Sequence, residues 1–351
     1  MGELFRPMPE KEAAELVRVA HEDLGVTLFD TAPFYGFGAS ELRLGAGLRG
    51  CGIGVGDGTT SFGRERVQIS TKVGRVLRPG AKERFMFAGG AEFHETFDYT
   101  GAGIDASLEQ SRCRLGMSKA DFLVIHDLEP ERHGDDGGVD RRLDELAGAG
   151  AGWSRLEALR EQGQVGAVGA GLNRLDMAQR FWDRGIDVDF FLVAGRLTLL
   201  ENGADEEGVG PAVRAFLEEC ERRGTALLVG GVFNSGILAT GADDPASKFD
   251  YAAAPDRVRA RVRKLEAVCQ AHGAELRTAA LQYPHYAHGQ AQDPREAGSA
   301  AEAQPARGSG TVAAIIPGAD DVASLRANAA SLAEPLPEAL WEDLRGEGLV
   351  E

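Results

Sequence analysis

Short apolar runs alternate with longer amphipathic stretches along the whole chain, and this alternation limits the possible folds more than any other feature. The runs are Val26–Phe29, Val67–Thr71, Asp121–Ile125, Val165–Gly169, Val188–Val193, Thr225–Val229 and Thr311–Ile316. Between them lie stretches with apolar residues three and four apart, such as Glu12–His21, Ile104–Leu115, Val213–Glu221 and Arg257–Cys269. Nearly continuous apolar strands separated by helices imply a parallel sheet covered on its faces. Repetition without a mid-chain linker favours one closed (β/α)8 TIM barrel over residues 1–351 rather than a doubly wound sheet. Seven runs are found where eight strands are needed. The missing one is the first, because MGELFRPM leads almost at once into a helical pattern.

Two stretches break the rhythm. Residues 132–152, with HGDDGGVD and AGAGAG, and residues 285–310, with GQAQDPREAGSAAEAQPARGSG, are expected to be flexible, solvated insertions.

A net charge of −17 opposes binding to nucleic acid or to anionic membrane surfaces, which a polyanion repels. No apolar run is long enough to span a bilayer, and no basic-then-apolar leader opens the chain. Cys51, Cys113, Cys220 and Cys269 lie far apart without metal-ligand spacing, so free thiols in a reducing cytoplasm are expected and no metal site.

The active site of a parallel barrel lies at the C-terminal ends of its strands. Asp30 ends the first run and Tyr35 follows in its loop; Lys72 ends VQISTK and His126 ends DFLVIH. Singly, each has an ordinary reading as a cap, a packing ring, a solvated amine or a hydrogen-bonded filler. Neighbouring strands, however, lie about 4.8 Å apart, so the four can converge. A phenol, with a pKa near 10, is a poor proton carrier at neutrality, and a buried ammonium lowers that value. The ammonium in turn requires a carboxylate. We therefore expect Asp30 to hold Lys72, Lys72 to acidify Tyr35, and His126 to orient the substrate oxygen.

FDTAPFYGFGASELRLGAGL, STKVG, RLGMSKADFLVIHD and IIPGADDVASLRANAASL resemble the aldo-keto reductases over most of the chain. AGRLTLLEN, GGVFNSGILA, LEAVCQAHG and PEALWEDLRGEGLV resemble the branch that oxidises aldoses such as L-fucose, and its pyridoxal-oxidising relatives. The resemblance implies a (β/α)8 barrel, here without its first strand and the usual N-terminal hairpin. It also implies a nicotinamide dinucleotide bound without a Rossmann motif, with Tyr35, Lys72, Asp30 and His126 as the catalytic tetrad. The activity implied is oxidation of an L-fucose, D-arabinose or L-galactose type of sugar at C1 to the lactone. Pyridoxal or another small aldehyde is the alternative substrate, and a non-catalytic dinucleotide-binding relative the alternative role.

The resemblance further places the pyrophosphate near Gly230, Gly231, Asn234 and Gly236, and the nicotinamide amide at Asn173. It places the adenosine along Pro317, Gly318, Asp320, Ser324 and Asn328. The lysine–serine pair and arginine with which NADP-preferring members grip the 2′-phosphate are replaced by Gly318–Ala319 and Ser324, with Asp320 and Asp321 nearby. A ribose hydroxyl can donate to a carboxylate where a phosphate is repelled, so NAD is expected over NADP; Arg326 is the residue that could reverse this. Arg75 and Arg196 are candidates to reach sugar hydroxyls. The partners expected are a small sugar or aldehyde alone, in a monomer or weak homo-oligomer.

Overall fold

The computed structural model describes all residues except 5, 55–66, 81–86, 149–150, 205–209 and 289–311. Its strands are β1 (Leu28–Asp30), β2 (Gln68–Val73), β3 (Arg75–Pro79), β4 (Phe93–Phe97), β5 (Ala120–Ile125), β6 (Val165–Leu172), β7 (Phe190–Ala194), β8 (Ala226–Gly230), β9 (Lys248–Phe249), β10 (Ala252–Ala253) and β11 (Val312–Ile316). Seven form one sheet in the order β1-β2-β5-β6-β7-β8-β11. Every adjacent pair in it is parallel. The result is a nearly closed α/β barrel. Among the described residues no strand joins β1 to β11, as the count of apolar runs predicts. β3–β4 and β9–β10 are antiparallel hairpins outside the barrel.

Alternation along the strands builds two apolar layers. Phe122, Val124, Ala167, Phe190, Leu192 and Leu228 fill the barrel interior. Their neighbours in sequence, Leu123, Ile125, Val168, Phe191, Val193 and Val229, join the larger core beneath the helices. Each of these side chains other than Ala167 contributes about 1.5–3 kcal/mol by its burial. In β2 the same alternation turns Lys72 and Ser70 inward, both meeting Asp30, while Thr71 bonds Glu41 of the helix Ala39–Gly50. Thus one strand carries the polar contacts of the barrel rim on one face and a structural contact on the other.

The segment 132–152 is not a solvated loop. A helix spans Asp136–Ala147, capped by the Asp135 side chain on Gly138 N, and buries Val139, Leu143 and Leu146 completely. Those three positions share one helical face, and the glycines around them masked that pattern. The helix Leu276–His288 takes in the first four residues of 285–310; the rest of that stretch lies outside the described residues.

Candidate active site

β1 ends at Asp30, and the chain turns sharply through Thr31–Gly38. Tyr35 N donates to Ala32 O, and Ser40 N to Tyr35 O, which fixes the phenol beside the helix that follows. From β2, Lys72 Nζ donates to Asp30 Oδ2 (2.7 Å) and to Thr31 O (2.9 Å). The same ammonium lies 4.6 Å from the centroid of the Tyr35 ring. Directly after β5, the His126 ring stands edge-on to Tyr35 with centroids 6.0 Å apart. The four residues expected to form a tetrad are therefore adjacent.

His126 is fixed from behind. The fully buried Tyr99 donates its hydroxyl to His126 O (2.7 Å). Its ring fits only because residue 74 is glycine: a Cβ there would stand 2.1 Å from Tyr99 Cε1, and φ is +98°.

Burial governs the acid–base character of the site. The Lys72 ammonium is disfavoured by burial, but Asp30 and Tyr35 more than offset this and hold it protonated, above its ordinary range. Tyr35 is pushed up to about 12, because burial outweighs the opposing pull of Lys72. The expected acidification by Lys72 is therefore present in direction but overridden, and the resting phenol is a proton donor. Burial pushes His126 well below its ordinary value, so it is a neutral imidazole. Its Nδ1 is buried with no partner among the described residues.

Sequence reasoning missed a charged floor beside His126. Asp127, with φ of +43°, accepts from Arg75 (2.7 Å) and lies 3.5 Å from His126 Nε2 and 3.7 Å from Arg132 Nε. Its carboxyl is held at about 2: burial raises it, but His126, Arg75 and Arg132 more than compensate. Arg75, a candidate to reach sugar hydroxyls, is 1% exposed and stacks 3.9 Å over Phe34. Arg196 donates to the neighbouring Gly195 O. Glu129, also missed, is buried and accepts from both the backbone and side chain of Asn173. The HD and E of HDLE were the available signal, but partners more than forty residues away assign them no contact.

The residues matched to a dinucleotide divide into two groups. Gly236 and Gly318 face open space, where a Cβ would meet nothing within 4 Å. Asn173 follows β6 at the rim, partly exposed, with its amide nitrogen bound to carboxylates. Together with the unpartnered His126 Nδ1, these features fit a polar, planar ligand lying across the rim. The others are engaged within the fold. A Cβ on Gly231 would strike Gly195 N at 2.7 Å, while one on Gly230 would meet only ordinary contacts. Asn234 is buried, accepting from Thr198 Oγ1 (2.6 Å) and donating to Gly195 O (3.0 Å). Ser324 and Asp321 cap the helix Val322–Ala333, and Asp320 N donates to Ser324 Oγ. Asn328 donates to Gly318 O (3.1 Å), just past Pro317, and accepts from Arg277 (2.9 Å). Arg277 also lies 5.3 Å from the Phe233 ring, between the two glycine loops, where nothing in its local sequence marked it. Arg326 is paired with Asp23 on the surface.

Among the described residues no cluster of ligands suited to a metal occurs, and no helix is long and apolar enough to cross a membrane.

Comparison with known proteins agrees with this fold. The aldo/keto reductase family model matches residues 1–346. The chain is 32% identical to a D-threo-aldose 1-dehydrogenase of a Pseudomonas species, covering all of this chain and 92% of that protein. It is 31% identical to a pyridoxal 4-dehydrogenase of Microbacterium luteolum, again over all of this chain and 92% of the relative. Among solved structures, an aldo-keto reductase from Bacillus halodurans superposes with a TM-score of 0.63 at 17% identity, covering 100% of this chain and 90% of that one. That last likeness speaks to the fold alone. With fold and relatives in agreement, the chain belongs to the aldo/keto reductase family and is an oxidoreductase acting on CH–OH groups.

Proposed function

We propose that this enzyme oxidises an aldose at C1 to the lactone, with NAD as the hydride acceptor and Tyr35 as the proton carrier. The observation that carries this reading is the Asp30–Lys72–Tyr35 chain with the neutral His126 ring beside it. The relative named D-threo-aldose 1-dehydrogenase supports the sugar, and the relative named pyridoxal 4-dehydrogenase supports pyridoxal as the second reading.

Each residue has a task that follows from its surroundings. His126, held neutral, can donate one hydrogen bond to the sugar oxygen without competing for its proton. Tyr35 takes the hydroxyl proton as hydride leaves C1, and Lys72 stabilises the phenolate that accepts it. The dinucleotide, when bound, supplies the hydride acceptor and, in its oxidised form, a positive charge that favours that phenolate. Asn173 is assigned to the carboxamide. Gly236, Arg277 and Gly318 are assigned to the pyrophosphate and adenosine side. Asp320 and Asp321, with Arg326 paired to Asp23, favour a ribose hydroxyl over a 2′-phosphate. The free cysteines fit a reducing cytoplasm.

The test is reduced-cofactor formation at 340 nm on L-fucose, D-arabinose, L-galactose and pyridoxal, with NAD and NADP compared on each. Expected are kcat/KM highest on a sugar with NAD, rising with pH through the alkaline range, and loss of turnover in Tyr35→Phe with dinucleotide binding kept. Unimpaired turnover by Tyr35→Phe refutes the mechanism. Preference for NADP refutes the cofactor assignment, and turnover of pyridoxal alone refutes the sugar.

A further inference from the structure

The polar atoms behind Asn173 are arranged with a definite sense. Glu129 is 2% exposed. Its Oε1 accepts from the backbone N–H of Asn173 (2.5 Å) and of Arg174 (3.3 Å). Its Oε2 accepts from Asn173 Nδ2 (2.9 Å), and Asp127 Oδ1 accepts from the same nitrogen (3.2 Å). An amide nitrogen has two protons to donate, and here two carboxylates take them. Among the described residues, the side-chain atom of Asn173 left without a partner is Oδ1, an acceptor.

Resting on the assignment of Asn173 to the nicotinamide carboxamide, we infer that Glu129 is a positioning residue that decides which end of the Asn173 amide the cofactor meets. As a carboxylate, Glu129 holds Nδ2 inward and offers Oδ1 to the carboxamide N–H. A proton on Glu129 must sit on Oε2, because Oε1 already receives two backbone N–H groups. That O–H then faces Nδ2, donor against donor. Rotating the amide to relieve the clash turns Oδ1 onto the Asp127 carboxylate, where two acceptors meet. Neutral Glu129 therefore leaves the amide without a stable orientation.

The groups facing this cluster make Glu129 the one that changes charge near neutrality. Burial, reinforced by the negative charge of Asp127, pushes its carboxyl up to about 7. Asp127 stays ionised, its pKa held at about 2. His126 stays neutral, and so does His133, which burial pushes down to about 4. The basic side chains around the cluster are Lys72, Arg75, Arg132, Arg142 and Arg174, and Glu131 is exposed at the rim beside Arg174. Oxidised nicotinamide carries a positive charge and reduced nicotinamide none, so an ionised Glu129 favours the oxidised form.

The experiment is direct binding of NAD⁺ and NADH, by calorimetry and by NADH fluorescence, between pH 6 and 8.5. In the parent enzyme the ratio Kd(NAD⁺)/Kd(NADH) should fall by about fivefold or more as pH rises through 7. In Glu129→Gln the ratio should be independent of pH and shifted toward NADH, and Glu129→Asp should restore the pH dependence. A flat ratio in the parent overturns the inference whether or not the variants fold. So does a Glu129→Gln ratio that still follows the parent curve. Asn173→Ala tests the underlying assignment separately: dinucleotide binding as tight as in the parent means that Asn173 is not at the nicotinamide, whatever Glu129 does.

Discussion

Asp30 and Lys72 show why a protein keeps an ion pair that its interior disfavours. Both side chains are almost wholly buried, at 7% and 2% exposure, and they meet at 2.7 Å. Removing one partner of such a pair leaves a buried charge without compensation and costs about 3–5 kcal/mol, whereas replacing both with apolar or neutral groups of similar size is often neutral. Asp30→Ala is therefore expected to lose stability of that order in urea denaturation. The double variant Asp30→Asn, Lys72→Met should unfold within about 1 kcal/mol of the parent while turnover is lost. A double variant as unstable as the single would mean that the pair is kept for the fold rather than for Tyr35. At this scale the sequence showed the participants but not the balance of forces on them. Polar residues closing apolar runs marked Asp30, Lys72 and His126. The phenol's rise to about 12 depends on how deeply Tyr35 is buried, which no local pattern records.

Elements were legible where one periodicity held without competition. The barrel strands lie within about three residues of the apolar runs, and β2 extends past Thr71 to place Lys72 inside the strand. Glycine obscured the rest. The helix Ala39–Gly50 carries Gly45 and Gly47 in its middle, which reads as a weak helix, yet both are buried. The reason is close approach: a Cβ on Gly45 would stand 2.3 Å from Leu115 O, and one on Gly47 2.7 Å from Val17 Cβ. Helix propensity alone makes alanine better than glycine by about 1 kcal/mol. Steric overlap with a backbone carbonyl runs the other way and is larger, because neither the carbonyl nor the helix Gly101–Leu115 behind it can move without disturbing the buried Glu41–Arg114 contact. Gly45→Ala should therefore destabilise by about 1–3 kcal/mol in denaturant titration, and any gain in stability would show that the two helices are not held this closely. The same logic explains why Asp127 and Glu129 escaped notice, and why the partners of Asn173 and Arg75 could not be read. Their meaning lies in contacts 44 to 52 positions away, supplied only when strands β2, β5 and β6 lie side by side.

At the level of the whole molecule, the distinctive feature is a barrel sheet with two edges. Among the described residues β1 pairs with β2 alone and β11 with β8 alone, while the strands between them are bonded on both sides. On β1 the bonds to β2 run through alternate residues: Gln68 N donates to Thr27 O (2.7 Å) and Thr31 N to Ser70 O (2.9 Å). Alternation then turns the amides of Leu28 and Asp30 toward the side where no described strand lies. Hydrogen exchange read residue by residue should find Leu28 and Asp30 exchanging orders of magnitude faster than Thr31, and faster than Val124 or Leu192 in the middle of the sheet. Protection at Leu28 and Asp30 equal to that of Val124 would mean that another strand covers this edge in solution. The outcome bears on the proposed mechanism, because Asp30 is both the last residue of the edge strand and the counter-charge of Lys72. If β1 frays, Lys72 loses its partner and Tyr35 the field that favours its phenolate. A ligand that settles on the rim and slows exchange at Asp30 would then be tightening the ion pair on which the proposed proton transfer depends.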